Sequence, residues 1–151
     1  MGEQGDKPPA LSVLIVLIVD AGPLYAAAAK GDDDHDRCAE LLASAQGPLL
    51  VPELVVCEVG YLLGDRIGAH AELAFARALA AGELIAEPVL DSEWARVAEL
   101  LERYEDLPLG MADASLVALA ERYGATEIAS LDHRHLGVVR PKHTRRFMLL
   151  P

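Results

Sequence analysis

Two aspartates follow apolar stretches of the chain. Asp20 comes after the continuous run at residues 11–19, and Asp132 comes after residues 126–131. A Val/Ile/Leu run without alternation is typical of a strand buried on both faces of a parallel sheet. The carboxyl ends of such strands lie along one edge of the sheet, where ligands bind. We therefore expect Asp20 and Asp132 to share that edge, although an aspartate in such a position also serves to cap a helix.

Two further acids fall on the inward faces of predicted helices. Glu58 is four residues from both Leu54 and Leu62 in the predicted helix 52–66, so it shares their apolar face. The whole stripe of that helix is predicted to be Leu54, Val55, Tyr61 and Leu62. Asp113 lies in the first turn of a later helix, where the helix dipole stabilises a carboxylate. An inward acid needs a partner, because a charged side chain is rarely buried alone.

The four carboxylates predict a site for a hard divalent cation. Like charges in one pocket do not all ionise without compensation, and the sequence near these acids offers few cations. Oxygen ligands favour Mg²⁺ or Mn²⁺. The sequence has no Cys/His cluster for zinc, no glycine-rich phosphate loop and no serine nucleophile elbow.

Composition narrows the class of protein. A chain of 151 residues is expected to form a single domain, with residues 1–10 as a flexible lead-in and residues 11–151 as the folded part. The net charge of −11 argues against an extended basic surface for nucleic acid. One basic region stands out near the C-terminus. It contains Arg134, Arg140, Arg145 and Arg146.

Cellular location follows from the cysteines and the N-terminal region. Cys38 and Cys57 lie inside helical patterns without metal-ligand spacing, so we expect two buried thiols in a reducing compartment. The segment before the apolar run carries Glu3 and Asp6 against Lys7, whereas a secretory signal begins with a basic region. The run is also too short to span a bilayer, so we expect a cytoplasmic protein with no membrane association.

The order of the predicted elements indicates the fold class. Apolar strands alternate with amphipathic helices along the chain, which is typical of an α/β protein with a parallel sheet between two layers of helices. In that α/β/α sandwich, strand ends supply Asp20 and Asp132, while helices supply Glu58 and Asp113.

Four segments in this order resemble the acidic motifs of PIN domains, specifically the VapC toxins of bacterial toxin–antitoxin modules. They are Ile18-Val19-Asp20, PELVVCEV at 52–59, LGMADASLVALA at 109–120 and IASLDHRHL at 128–136. Each motif alone is weak evidence, but four in order at suitable spacing are fairly specific. The lead-in before the first strand departs from the family pattern and puts the natural start site in doubt.

The resemblance implies a Mg²⁺-dependent endoribonuclease toxin. Asp20, Glu58, Asp113 and Asp132 would be its metal-binding and catalytic acids, and Ser130 would line the pocket. It further implies an RNA substrate such as tRNA or rRNA, a homodimer, and inhibition by a cognate VapB-type antitoxin whose tail enters the active-site groove. A metal held by such acids activates a water molecule and stabilises charge on the scissile phosphate.

Other interpretations remain open at this stage. The basic residues from Arg134 to Arg146 either guide RNA to the pocket or pair with acids elsewhere. A catalytically idle PIN-like binding module would share the fold. A metal-dependent phosphatase or phosphotransfer domain usually has a second acid two residues after the strand-end aspartate, and that position here is Gly22.

Overall fold

The computed structural model describes residues 15–151, in which five parallel strands form one sheet. The strands are β1 (Leu17–Val19), β2 (Leu49–Pro52), β3 (Ile85–Glu87), β4 (Glu127–Ala129) and β5 (Met148–Leu150). The helices are α1 (Ala21–Ala28), α2 (His35–Ser44), α3 (Glu53–Arg66), α4 (Ala69–Ala80), α5 (Trp94–Arg103) and α6 (Met111–Tyr123). A short 3₁₀ turn, Asp91–Glu93, precedes α5.

The strand order is β3-β2-β1-β4-β5, and every neighbouring pair is parallel. The chain builds outward from β1 to β3 on one side and then crosses over to β4 and β5 on the other. The order of the strands therefore reverses between β1 and β4. Ligands bind at the carboxyl ends of the strands beside such a reversal, so the topology marks the ends of β1 and β4 as the place to look for a site.

Both faces of the sheet are covered by helices, which confirms the predicted α/β/α sandwich. Leu17 and Val19 point to one face and pack with residues of α1 and α3. Ile18 points to the other face and packs with residues of α5 and α6. This alternation of β1 side chains between two apolar layers explains why the strand reads as a continuous apolar run.

Helix α6 is the most deeply buried helix in the described part of the chain. All seven residues from 114 to 120 are buried, because α6 packs against α5, α3 and the sheet. Its first turn reaches the carboxyl edge of the sheet, where Asp113 lies. Gly124 ends the helix in the left-handed conformation, with φ of 63°, as the sequence predicts for a glycine at that position.

Two details of the predicted helices and strands are wrong. Strand β1 begins only at Leu17 and Ile15 is exposed; residues 11–14 of the predicted strand and the predicted lead-in 1–10 lie outside the described residues. The buried face of α3 consists of Val55, Val59 and Leu63. Tyr61, expected on that face, is 70% exposed. The face that meets the sheet is offset by one position from the predicted spacing of Leu54, Glu58 and Leu62, and Val55 is the residue of the predicted stripe that is buried.

The cysteine prediction is half right. Cys38 is fully buried, whereas Cys57 is exposed on α3. Cys57 lies on the outer face of α3 because the helix turns Val55 and Val59 toward the sheet instead. In residues 15–151, no helix combines the length and the apolar character that crossing a membrane requires.

Candidate active site

An open pocket of about 710 Å³ lies at the carboxyl ends of β1 and β4. Asp20, Glu58, Asp113 and Asp132 all line it. The described lining residues include no lysine or arginine, and His135 is the one basic side chain among them. The structure therefore brings together the four acids that the sequence singles out, with little positive charge to offset them.

Asp20 is the most buried of these acids, with 7% of its surface exposed. It follows β1 directly, and its backbone N–H donates to the carbonyl of Ala129 in β4 at 2.8 Å. Asp20 occupies the N-cap position of α1, but its carboxylate makes no capping hydrogen bond. Burial raises the pKa of Asp20, and the charge of Asp132 adds to the rise. Capping therefore does not explain why an acid stands here.

Ser130 joins the two strand-end aspartates. Its fully buried hydroxyl donates to Asp20 Oδ2 at 2.9 Å and accepts from the backbone N–H of Asp132 at 3.0 Å. One side chain therefore fixes the direction of the Asp20 carboxylate and the path of the backbone that carries Asp132. Ser130 has no exposed surface and is not among the residues that line the pocket, so the prediction that it lines the pocket is wrong. It lies behind the two aspartates, and its hydrogen bonds give it a positioning role.

Asp132 is held in turn by His135, three residues further along the chain. The backbone N–H of His135 donates to Asp132 Oδ1 at 3.0 Å, and the imidazole Nδ1 lies 2.8 Å from Oδ2. An aspartate that accepts from a nearby backbone N–H closes a local turn, which explains the compact path of the chain after β4. His135 is a pocket residue that the sequence reasoning missed. Its signal is the three-residue spacing from Asp132.

Asp113 lies in the first turn of α6, where the buried helix faces the pocket. Burial, together with the negative charges of Asp20 and Asp132, raises the pKa of Asp113 to about 6. A hydrogen bond from the Gly110 backbone and the charge of His135 offset part of this rise. A carboxyl group with a pKa this close to neutrality is typical of functional sites.

Glu58 reaches the pocket from α3, but it is not an inward core residue as predicted. The residue is exposed and lies beside the buried face of the helix. Partial burial of its carboxyl, followed by the charge of Asp20, raises its pKa. The sequence therefore identified Glu58 as a pocket residue, although it expected the side chain to point inward. Glu58 lies at the rim of the pocket and keeps contact with water.

The donor set of the pocket fits a divalent cation. Four carboxylates supply oxygen ligands, and the described lining residues include no lysine or arginine to offset their charge. Within residues 15–151, no three His, Cys, Asp or Glu side chains are close enough to enclose an ion. Mg²⁺ does not need such an enclosure, because it usually keeps several waters and takes one or two protein carboxylates.

The predicted RNA-contacting arginines do not form one continuous strip. Arg134 lies next to the pocket, between Asp132 and His135. Arg140, Arg145 and Arg146 line a separate concavity of about 840 Å³. Arg145 and Arg146 precede β5, so they lie toward the opposite edge of the sheet from the acids, because β5 runs parallel to β4.

Gly22 lines the pocket opposite Leu131. A Cβ atom at this position would lie 3.3 Å from Leu131 Cβ, which leaves little room for a side chain. A second acid two residues after the strand-end aspartate would therefore need Leu131 to move. This crowding weighs against the phosphatase or phosphotransfer interpretation.

Comparison with known proteins matches the chain to one family. A family model of the PIN domain matches residues 17–140. Ribonuclease VapC26 of Mycobacterium tuberculosis is 36% identical over 135 residues, which span 89% of this chain and 100% of that protein.

Solved structures share the fold at lower sequence identity. VapC20 of M. tuberculosis, a toxin that cleaves the sarcin-ricin loop, superposes with a TM-score of 0.72 and 23% identity over 78% of this chain and 90% of its own. VapBC2 from Rickettsia felis, bound to promoter DNA, superposes with a TM-score of 0.63 and 14% identity over 89% of this chain and 97% of its own. FitAcB from Neisseria gonorrhoeae superposes with a TM-score of 0.57 and 14% identity over 78% of this chain and 88% of its own.

Proposed function

The chain belongs to the PIN domain family and is of the VapC type, and from this premise we propose that it is a metal-dependent endoribonuclease toxin. Its substrate is cellular RNA, cut at specific sites in a structured molecule such as tRNA or rRNA. The observation that carries the proposal is the pocket itself, in which Asp20, Glu58, Asp113 and Asp132 converge without a lysine or arginine among the described lining residues.

The metal of the proposed enzyme is Mg²⁺, with Mn²⁺ as a substitute, and the four acids of the pocket would hold it, one or two of them as direct ligands. When bound, such an ion lowers the pKa of a water ligand and stabilises the charge that builds on the scissile phosphate. Ser130 keeps the Asp20 carboxylate aimed into the pocket, and His135 does the same for Asp132. Asp113 faces the pocket from the first turn of α6, and burial together with the charges of Asp20 and Asp132 raises its pKa in the metal-free protein, so it is suited to accept a proton from water in the pocket.

This function accounts for the pocket better than an idle binding module does. A module that only binds a partner has no need for a pocket in which burial and neighbouring negative charge raise the pKa values of three acids, Asp20, Glu58 and Asp113. Holding such groups costs stability, and proteins tolerate that cost mainly at functional sites. The uncompensated charge therefore favours catalysis.

The proposed partners are a VapB-type antitoxin and a second copy of the chain. The structural neighbours from R. felis and N. gonorrhoeae are toxin–antitoxin complexes of the same fold, which supports the antitoxin. Helix α4 has no buried residue, and Leu73 on it is 50% exposed. We assign the homodimer contact to the apolar face from Leu73 to Leu84. Substrate and antitoxin together imply that the protein acts in the cytoplasm.

The test is cleavage of total cellular RNA by the purified protein, with Mg²⁺ or Mn²⁺ and with EDTA. We expect a few discrete cuts that disappear with EDTA and fall by at least about 100-fold in Asp20→Asn and in Asp113→Asn. Asp36→Asn is the matched control, because it removes the same charge from an exposed position on α2 and should cut normally. If the folded wild-type protein cuts no RNA with either metal, the binding-module interpretation replaces this one.

A further inference from the structure

The concavity lined by Arg140, Arg145 and Arg146, named here the arginine cleft, is chemically the opposite of the acidic pocket. Residues 133–146 contain five of the thirteen lysines and arginines of the chain and no acidic residue. On a protein with a net charge of −11, this is a local reversal of sign. A phosphate backbone is attracted by such a local field even when the whole protein is acidic.

The arginines of the cleft are not engaged by the protein. Their side chains are exposed and form no hydrogen bond or ion pair with any other residue in the range 15–151. By contrast, Arg96 and Arg122 are held by buried or half-buried glutamates. Among the described residues, these three arginines therefore do not pair with acids elsewhere.

The backbone beneath the cleft is fixed in place. The N–H of Arg140 donates to the Tyr104 hydroxyl at 2.8 Å, and the N–H of Lys142 donates to Glu121 at 3.1 Å. The imidazole of His143 lies 2.6 Å from the Ala125 carbonyl. The guanidinium groups thus project from an anchored segment, which reduces the ordering cost of binding a ligand.

The acidic pocket and the arginine cleft are connected by one chain segment, residues 135–146. The segment leaves the pocket at His135, and its far end reaches the start of β5 beside the amino end of β4. Because β4 has three residues, at about 3.3 Å each, the two ends are separated by at least about 10 Å. That distance corresponds to roughly three nucleotides at about 3.4 Å per nucleotide.

We propose that the arginine cleft binds the phosphate backbone of the RNA substrate several nucleotides away from the bond that is cut. This inference rests on the proposed ribonuclease function and adds a second contact to it. The cleft contributes affinity and placement, while the acidic pocket carries the reaction. An RNA that reaches both surfaces is bound more tightly than a short fragment that fills only the pocket.

The experiment compares Arg145→Ala/Arg146→Ala with the control Arg37→Ala/Arg77→Ala, which removes the same charge from α2 and α4. Cleavage is measured on purified ribosomal RNA and on a short oligonucleotide that carries a mapped cut site without the flanking nucleotides. We expect KM for ribosomal RNA to rise about tenfold in the cleft variant with kcat within about twofold. The oligonucleotide should be cut equally by both variants.

Binding without cleavage separates this inference from the proposed function. In an Asp113→Asn background with EDTA, the affinity for ribosomal RNA is measured against salt concentration. Loss of two phosphate contacts should reduce the slope of log Kd against log salt by about 1.4. An unchanged slope and an unchanged KM would overturn the inference, as would loss of antitoxin binding with normal RNA cleavage. If wild-type protein cuts no RNA, the proposed function fails, and the salt slope still decides whether the cleft binds RNA.

Discussion

The molecule contains two clusters of carboxylates that differ in their counter-charges. Four acids line the acidic pocket, and the described lining residues include no lysine or arginine. In the second cluster, Arg122 pairs with Glu87 at 3.1 Å and with Glu93 at 2.8 Å, while Arg96 pairs with Glu121 at 2.7 Å. We call this second set the ion-pair cluster. It joins α5 and α6 to the end of β3.

The pKa of Glu93 in the ion-pair cluster and the pKa of Asp113 in the pocket shift in opposite directions. Burial alone would raise the pKa of Glu93, but hydrogen bonds from Arg122 and from the Leu90 backbone, with the charge of Arg122, outweigh it and lower the pKa. Burial and neighbouring acids raise the pKa of Asp113. Acid content therefore does not identify a site. The lack of a lysine or arginine among the described lining residues distinguishes the pocket from the second cluster and favours a functional role for its acids.

The largest stability effect is expected from breaking the ion-pair cluster. Arg122→Ala leaves Glu87 and Glu93 half-buried and without their main partner, so the free energy of unfolding should fall by about 2 kcal/mol. The measurement is urea unfolding at pH 7.5. Arg77→Ala, at an exposed position on α4, is the control and should change it by less than about 0.5 kcal/mol. Equal effects of the two substitutions would mean that the cluster does not stabilise the fold.

Ser130→Ala tests the positioning of the acids in the pocket. It removes a donor from Asp20 and leaves the N–H of Asp132 without its acceptor, so we expect a loss of about 1.5 kcal/mol in stability and a roughly tenfold lower cleavage rate. Ser115→Ala is the matched control, because Ser115 is also buried but bonds only the Ala112 carbonyl in α6. It should leave cleavage unchanged. Normal cleavage by Ser130→Ala would remove the positioning role.

Asp113→Asn should stabilise the metal-free protein above pH 6. The folded state raises the pKa of Asp113 from 3.8 to about 6, so the charged form disfavours folding at neutral pH. Solvent at the open pocket screens this penalty, which leaves a gain of about 1 kcal/mol at pH 7.5 in EDTA. The gain should shrink between pH 6 and pH 4 and vanish below, where Asp113 is protonated in both states.

Glu93→Gln gives the opposite sign in the same unfolding experiment. Because its pKa is lowered in the folded state, charged Glu93 contributes stability that is present at neutral pH and lost as the pH falls through its folded value. The variant should therefore be less stable than wild type at pH 7.5. A destabilised Asp113→Asn at that pH would contradict the contrast between the clusters.

Sequence reasoning predicted the sheet edge and the acids for physical reasons. Strand ends in a parallel sheet share an edge, so the positions of Asp20 and Asp132 follow from two apolar runs. The position of Asp113 follows from the periodic apolar pattern of α6, which ends at a glycine. These patterns are local in the sequence, and each one determines where its acid lies. Together they were sufficient to predict most of the fold and of the pocket.

Other features depend on tertiary packing that the sequence does not display. The rotation of α3 is set by the fit of Val55, Val59 and Leu63 to the sheet, so Val55 is the only residue of the predicted stripe that is buried, although Glu58 reaches the pocket. His135 enters the site through a local turn around Asp132. The separation of Arg134 from Arg145 depends on the crossover to β5, which spacing alone does not reveal.

We expect the acidic pocket, whose described lining residues include no lysine or arginine, to bind a divalent metal, and the ion-pair cluster not to bind one. The direct test is calorimetric titration of Mn²⁺ into the wild-type protein, Asp20→Asn and Glu93→Gln. We predict that wild type and Glu93→Gln bind with equal affinity and that Asp20→Asn binds at least about 100-fold more weakly. Equal binding by Asp20→Asn and wild type, or a matching loss in Glu93→Gln, would contradict the claim.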